Sequence, residues 1–122
     1  MERIDTNTVL LDSNYVIGIL NGAISISELP LYRHAVSVVT IMELYALAGM
    51  SANEELRIDE AIRELVIVPV TIPIAKRAGI LARTRKRGKS DLIIAATALE
   101  LNIPLLTKNT HDFKHIPNLH LL

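Results

Sequence analysis

The sequence predicts an α/β fold with a mainly parallel central sheet and helices on both of its faces. Short apolar runs alternate with amphipathic segments, the links between them are short, and 50% of the 122 residues are hydrophobic. The core must be built from Ile, Leu, Val and Ala, because the chain has one Phe and no Trp. The length fits a single compact domain over residues 1–122.

The first elements are predicted as strand, helix and strand. Residues 8–12 (TVLLD) form a short apolar run that ends in a polar residue, which is typical of a buried strand. Residues 13–21 follow with apolar side chains on one helical face, and Ser13 or Asn14 lies near the helix cap. Residues 35–39 (AVSVV) are rich in valine and predict the second strand.

The middle of the chain predicts two helices and a third strand. The helix 41–49 (IMELYALAG) stops at its terminal glycine, and the helix 52–65 is the most polar one. Residues 66–71 (VIVPVT) read as a strand, although Pro69 argues against full pairing because proline donates no ladder hydrogen bond.

The last third predicts two further helices, each followed or flanked by a short strand. Pro73 suits the first turn of a helix that runs to about Lys86, and Gly88 breaks it. Ser90 then starts a strongly apolar helix over 91–101. The remaining predicted strands lie at 103–107 and 119–122.

Composition limits the classes of protein that fit. The absence of Cys excludes disulfides and thiolate zinc sites. No signal peptide is visible and charges interrupt every long apolar stretch, so we expect a cytoplasmic protein without a membrane segment. The formal net charge is zero, yet seven of the 13 basic residues fall in one window without acids: Lys76, Arg77, Arg83, Arg85, Lys86, Arg87 and Lys89.

Four acids follow or begin predicted elements in a pattern that suggests one shared site. Asp12 closes the first strand, and Glu43 lies in the first turn of the helix after the second strand. Asp91 begins a helix, and Asp112 follows the strand that ends at Thr107. Parallel strands deliver their carboxyl ends to one edge of the sheet, so we expect Asp12, Glu43 and Asp112 to converge there. Asp91 joins them if its helix begins at the same edge.

A cluster of carboxylates predicts a divalent cation. Two ionised groups about 5 Å apart repel by roughly 3 kcal/mol at an effective dielectric constant of 20, so a bound cation would offset an unfavourable arrangement. Ligands that are all oxygen favour Mg²⁺ or Mn²⁺ over zinc. Such ions activate water and stabilise the charge that develops on a phosphodiester, which predicts metal-assisted phosphodiester hydrolysis.

Each acid also has a structural alternative. Thr40 and Glu43 have the spacing of a capping box, in which the glutamate bonds only the backbone of a helix start. Asp12 could cap the first helix, and Asp112 could cap a turn. An acid in the first turn of a helix, as Asp91 is, interacts favourably with the helix dipole.

Several runs of the sequence resemble one known family. The runs LLDSNYVIGIL (10–20), VSVVTIMELYALA (36–48), KSDLIIAATALELNIPLLTKN (89–109) and HDF (111–113) are similar to PIN-domain proteins, in particular the VapC-type toxins of toxin–antitoxin pairs. The resemblance covers nearly the whole chain. It implies a Mg²⁺-dependent endoribonuclease that acts on RNA, forms a homodimer and is inhibited by an antitoxin protein that wraps it.

The resemblance also assigns roles to residues. It implies that Asp12, Glu43, Asp91 and Asp112 are the catalytic metal-binding acids. It implies supporting roles for three polar residues: Asn14, Thr107 and Asn109.

Outside those motifs, the basic segment 83–89 (RTRKRGK) precedes Asp91 and could bind RNA phosphates. The alternative is a solvated helix end, where cations are favoured.

Two other functions remain open at this point. The chain could be an inactive PIN-like domain used for binding. It could also be a phospho-accepting domain in which Asp12 itself is the nucleophile, although such phosphatases show an acid where this chain has Asn14.

Overall fold

A computed structural model describes residues 7–25, 27, 32–86 and 88–122 of the chain. The described residues form one four-stranded sheet in the order β3-β2-β1-β4, in which every pair of neighbours is parallel. The strands are β1 (Thr8–Leu11), β2 (Arg33–Ser37), β3 (Val66–Val68) and β4 (Leu105–Leu106). The helices are α1 (Ser13–Leu20), α2 (Val38–Tyr45), α3 (Ala52–Ile62), α4 (Ile72–Ala82), α5 (Lys89–Leu101) and α6 (Thr110–Phe113).

Helices cover both faces of the sheet, which confirms the predicted fold class. Successive strand residues point to opposite faces. Leu10 of β1 therefore packs with α4 and α5, while its neighbours Val9 and Leu11 pack with α1, α2 and α3. The two apolar layers make β1 the centre of the molecule, with all four of its residues buried.

Helix α2 begins earlier than the sequence predicts. The predicted strand 35–39 ends at Ser37, whose hydroxyl accepts a hydrogen bond from the amide of Val39 at 3.2 Å and caps the helix. Because this serine satisfies one of the free backbone donors at the helix start, the β-branched residues after it enter the helix. Thr40 lies inside α2, so the capping box proposed for Thr40 and Glu43 is wrong.

The second half differs from the prediction in the extent of its elements. Strand β3 stops before Pro69, as a residue without a backbone donor requires. Helix α4 ends at Ala82 rather than near Lys86. The predicted last strand is reduced to one parallel bridge between Leu105 and Leu121. The short helix α6 follows β4 where no helix was predicted.

None of the helices in the described part of the chain is long and apolar enough to span a membrane.

Candidate functional site

Asp12 stands at the carboxyl end of the central strand and is 3% exposed. It is the N-cap of α1: its Oδ1 accepts a hydrogen bond from the amide of Tyr15 at 2.8 Å. Its own amide donates to the carbonyl of Leu106 on β4 at 3.3 Å. The structural role foreseen for Asp12 as a helix cap is therefore confirmed, and it leaves the second carboxylate oxygen for other partners.

A chain of hydrogen bonds links Asp12 to Asp112. The hydroxyl of Thr107, just after β4, donates to Asp12 Oδ2 at 2.5 Å. The same hydroxyl oxygen accepts the amide of Asn109 at 2.9 Å. The side-chain amide of Asn109 then donates to Asp112 Oδ2. Pairing of β4 with β1 thus brings a residue 95 positions away from Asp12 into direct contact with its carboxylate.

Glu43 reaches the neighbourhood from α2, in its second turn rather than the first turn predicted from the sequence. Its Oε1 accepts a hydrogen bond from the hydroxyl of Ser13 at 2.5 Å. The Ser13 hydroxyl also lies 2.8 Å from that of Thr40. Because Ser13 follows Asp12 directly, Glu43 is anchored one residue away from the buried aspartate.

Asp91 lies in the first turn of α5. Only residues 102–104 separate the end of α5 from β4, so α5 must end at the edge where the strands begin. Its first turn is thereby directed to the opposite edge, where Asp12 lies. The Arg85 guanidinium supports this placement, because it donates to the carbonyl of His115 at 3.4 Å and ties the α4–α5 link to the segment after α6.

The pKa of Asp12 is set by its burial, its hydrogen bonds and the nearby charge of Glu43. Burial raises the pKa of Asp12 above its ordinary value of 3.8, and the negative charge of Glu43 raises it further. The hydrogen bonds from Thr107 and from the backbone of Tyr15 act in the opposite direction, because they favour the charged form. The net shift is upward, so the donors of the protein offset only part of the cost of burying the charge.

The donor set suits a hard divalent cation, because carboxylate, hydroxyl and amide oxygens surround this edge. In the described residues, however, no three acidic or histidine side chains stand together as a ready-made ligand set. Glu43 and Asp112 are instead turned to Ser13 and Asn109. An ion would therefore draw these carboxylates away from, or share them with, their present hydrogen-bond donors.

The remaining predicted residues occupy different environments. Asn14 is exposed at the start of α1. Arg83, Lys86 and Lys89 are exposed around the α4–α5 link. Arg85 is partly buried and donates to the carbonyl oxygens of Leu81 and His115.

Arg87 lies outside the described residues. His111 and His115, four positions apart, meet edge to face with ring centroids 6.0 Å apart.

Sequence reasoning missed two hydroxyl residues of the site. Ser13 and Thr40 were weighed only as capping residues, yet both are buried and join α1 to α2 beside Glu43. A second contact between helices was also unforeseen: Tyr45 donates its hydroxyl to Asp59 of α3, which raises the pKa of Tyr45 to about 12. The position of Ser13 directly after Asp12 could have indicated that it belongs to the site.

A wholly parallel sheet with buried and half-buried acids at its carboxyl edge defines an α/β protein with an acidic site. Comparison with known proteins makes the assignment specific: the family model of the PIN domain matches residues 9–119. The chain belongs to the PIN domain family.

Two similar proteins of near-full length are named as VapC ribonucleases. The ribonuclease VapC10 of Mycobacterium tuberculosis is 30% identical over 86% of this chain and 85% of its own length. The ribonuclease VapC1 of Rickettsia felis is 30% identical over 93% of this chain and 94% of its own length.

Solved structures of toxin–antitoxin proteins are also similar to this chain. A toxin–antitoxin complex from Klebsiella pneumoniae matches with 30% identity and a TM-score of 0.75, covering 91% of this chain and 94% of that one. The DNA-bound VapBC from Salmonella typhimurium matches with 26% identity and a TM-score of 0.80, covering 94% of this chain and 96% of that one.

The raised pKa of Asp12 gives a prediction for the metal-free protein. Its carboxyl binds a proton more tightly in the folded state, so the stability present below pH 3.8 is lost as pH rises through the folded pKa. Asp12→Asn removes this loss but also the acceptor for Thr107. We expect the variant to match the parent near pH 4 and to be more stable at pH 7 by on the order of 1 kcal/mol in urea unfolding.

The control is Glu60→Gln, which removes the same charge from an exposed position of α3. Its difference from the parent should not grow with pH in this way. An Asp12→Asn variant that is less stable than the parent at pH 7 would contradict the prediction.

Proposed function

We propose that the protein is a metal-dependent endoribonuclease, the toxin of a toxin–antitoxin pair, which hydrolyses RNA phosphodiester bonds. The observation that carries the proposal is the buried carboxylate of Asp12 at the end of β1, held by Thr107 and raised in pKa by burial and by the charge of Glu43. Its membership of the PIN domain family and its similarity to proteins named as ribonucleases support the same activity.

In this proposal, Asp12, Glu43, Asp91 and Asp112 hold Mg²⁺ or Mn²⁺. When bound, the ion would supply an activated water and charge stabilisation for the phosphodiester under attack. The residues of the chain orient the carboxylates. The amide of Tyr15 and the hydroxyl of Thr107 each donate to one oxygen of Asp12, so both oxygens are held by the protein itself. The side-chain amide of Asn109 donates to one oxygen of Asp112.

The two alternatives are weaker. An inactive PIN-like binding domain would not need an acid in a position that disfavours its charged form, yet burial and the charge of Glu43 raise the pKa of Asp12. A phospho-accepting domain of the phosphatase kind would have a second acid two positions after Asp12, where this chain has Asn14. The comparisons lie with VapC proteins and lend this second alternative no support.

The metal dependence can be tested by cleavage and by stability together. RNA cleavage should require Mg²⁺ or Mn²⁺, and Asp12→Asn and Asp91→Asn should reduce it by at least about 100-fold. In thermal unfolding, an ion at ten times its Kd should stabilise the parent by about 1.4 kcal/mol and these variants by less.

The control for the metal test is Glu100→Gln, which changes an acid at the opposite end of α5 from Asp91. It should cleave RNA and respond to the ion as the parent does. Cleavage that survives excess EDTA would rule out the metal mechanism, whereas ion binding without cleavage would favour the inactive binding domain.

The basic segment 83–89 contains one arginine bonded to the fold and several cations exposed to solvent. Arg85 is occupied by the carbonyl oxygens of Leu81 and His115, so it belongs to the fold at least as much as to a binding surface. Lys86 and Lys89 are exposed beside the start of α5, in whose first turn Asp91 lies. We propose that the exposed cations contact phosphates of the RNA next to the acids, together with Arg83 and Arg87.

This contact predicts a change in salt dependence. The double variant Lys86→Ala/Lys89→Ala should bind single-stranded RNA more weakly, and the slope of log K against log salt should fall by about 1.4, because each phosphate left without its lysine accounts for about 0.7. The control is Arg63→Ala/Lys76→Ala, which removes the same charge from two exposed positions, one just after α3 and one on α4. Its slope should equal that of the parent. Identical slopes in all three proteins would show that the segment does not touch RNA.

Two apolar surfaces suit the proposed protein partners. A groove of about 240 Å³ between α1 and α3 is lined by Ile17, Leu20, Leu47, Met50 and Ile58, among others. We propose that the antitoxin covers this groove with the apolar face of a helix, because amphipathic helices bind hydrophobic grooves in this way.

The second surface lies on α4. Ile72 and Ile80 are 84% and 45% exposed and eight positions apart, so they share one face of the helix. We propose this face as the contact of a homodimer, because large β-branched side chains on one exposed helix face favour burial against another surface. We also propose that the protein acts in the cytoplasm, where it would meet both RNA and an antitoxin.

The two surfaces can be separated by one pair of variants. Ile72→Glu should convert a dimer into a monomer in sedimentation experiments, while inhibition by the proposed antitoxin persists. Leu47→Glu should lose that inhibition and remain a dimer. Each variant serves as the control for the other, and a parent chain that sediments as a monomer at tens of micromolar would contradict the dimer.

A further inference from the structure

We propose that Ser13, supported by Thr40, is a positioning residue that holds one oxygen of Glu43 so that the other is presented to a divalent cation. This inference rests on the proposed function and concerns the ion affinity of the same site. The Ser13 hydroxyl contacts Glu43 Oε1 at 2.5 Å and Thr40 Oγ1 at 2.8 Å. These two contacts join the first turn of α1 to α2.

The direction of the hydrogen bonds follows from the number of protons. A serine hydroxyl has one proton and a carboxylate has none, so Ser13 must donate to Glu43. Thr40 must then donate to Ser13, whose proton is already used. The result is an ordered relay from Thr40 to Ser13 to Glu43, in which each bond polarises and strengthens the next.

Burial makes the relay a fixed feature of the fold. Ser13 is 7% exposed and Thr40 is fully buried. Thr40 precedes Glu43 by three positions on α2, so both side chains lie on the same face of that helix. Ser13 is held in place because its neighbour Asp12 caps α1. Neither hydroxyl can turn to solvent without leaving the other short of a partner.

The relay matters because a glutamate side chain is flexible. Ordering its three torsions on ion binding would otherwise oppose the binding. Because Ser13 holds Oε1, the side chain of Glu43 is already ordered, and only Oε2 has to be oriented toward the cation. Groups that orient a metal-binding side chain commonly change ion affinity or activity by about 10- to 100-fold when removed. Ser13 would act in this way through Glu43, without touching the RNA.

The test measures Mn²⁺ affinity of the full chain by isothermal titration, with no RNA present. Ser13→Ala should weaken binding by about tenfold or more, and Ser13→Thr, which keeps the hydroxyl, should restore most of it. Thr40→Val should have a smaller effect, because it leaves the bond between Ser13 and Glu43. The control is Thr97→Val, which removes a buried hydroxyl that donates to the carbonyl of Ile93 within α5. It should bind Mn²⁺ as the parent does.

A double-mutant cycle with Glu43→Gln separates positioning from a general structural effect. Ser13→Ala should weaken Mn²⁺ binding in the parent and leave it unchanged in the Glu43→Gln background, since its action passes through that carboxylate. Equal affinities of Ser13→Ala and the parent would overturn the inference and leave the proposed function standing, as would an equal loss in both backgrounds. A parent chain that binds no Mn²⁺ would overturn both.

Discussion

The burial of one carboxyl group at the end of the central strand is the constraint on which the rest of the site depends. A charge in this position is unfavourable unless donors meet it. The structure supplies two to Asp12, the amide of Tyr15 and the hydroxyl of Thr107. The first requires α1 to start directly after β1. The second requires β4 to pair with β1 and to end at the same edge of the sheet. The site therefore forms only with this order of strands.

Those elements that depend on local pattern could be predicted from the sequence. The run before Asp12 is apolar and short, and Ala95, Ala96 and Ala98 give α5 a helical and strongly apolar character, so both were placed within two residues. The start of α2 could not be placed as well. Val38 and Val39 favour strands by propensity, and the hydroxyl of Ser37 overrides that preference by capping the helix.

Contacts between distant positions could not be predicted. Nothing local in the sequence indicates that Ser13 meets Glu43 or that Arg85 meets the carbonyl of His115, since each contact spans 30 positions. The composition of the basic segment likewise does not distinguish an arginine that holds the fold together from a lysine that faces solvent. The candidate acids were found because parallel strands share one edge, which is a rule of topology. Their hydrogen-bond partners are set by packing.

The chemistry of these partners explains why the site remains attractive to a cation. The donors that reach Asp12 and Glu43 are hydroxyl and amide groups, which are neutral. A lysine or arginine in their place would compensate the charge, lower the pKa of Asp12 and occupy the position of an ion. Neutral donors orient the carboxylates without adding a positive charge, and burial, together with the charge of Glu43, keeps the pKa of Asp12 raised. A chain with no net charge therefore keeps a local negative field at the one edge where its strands end, beside the exposed cations of the α4–α5 link.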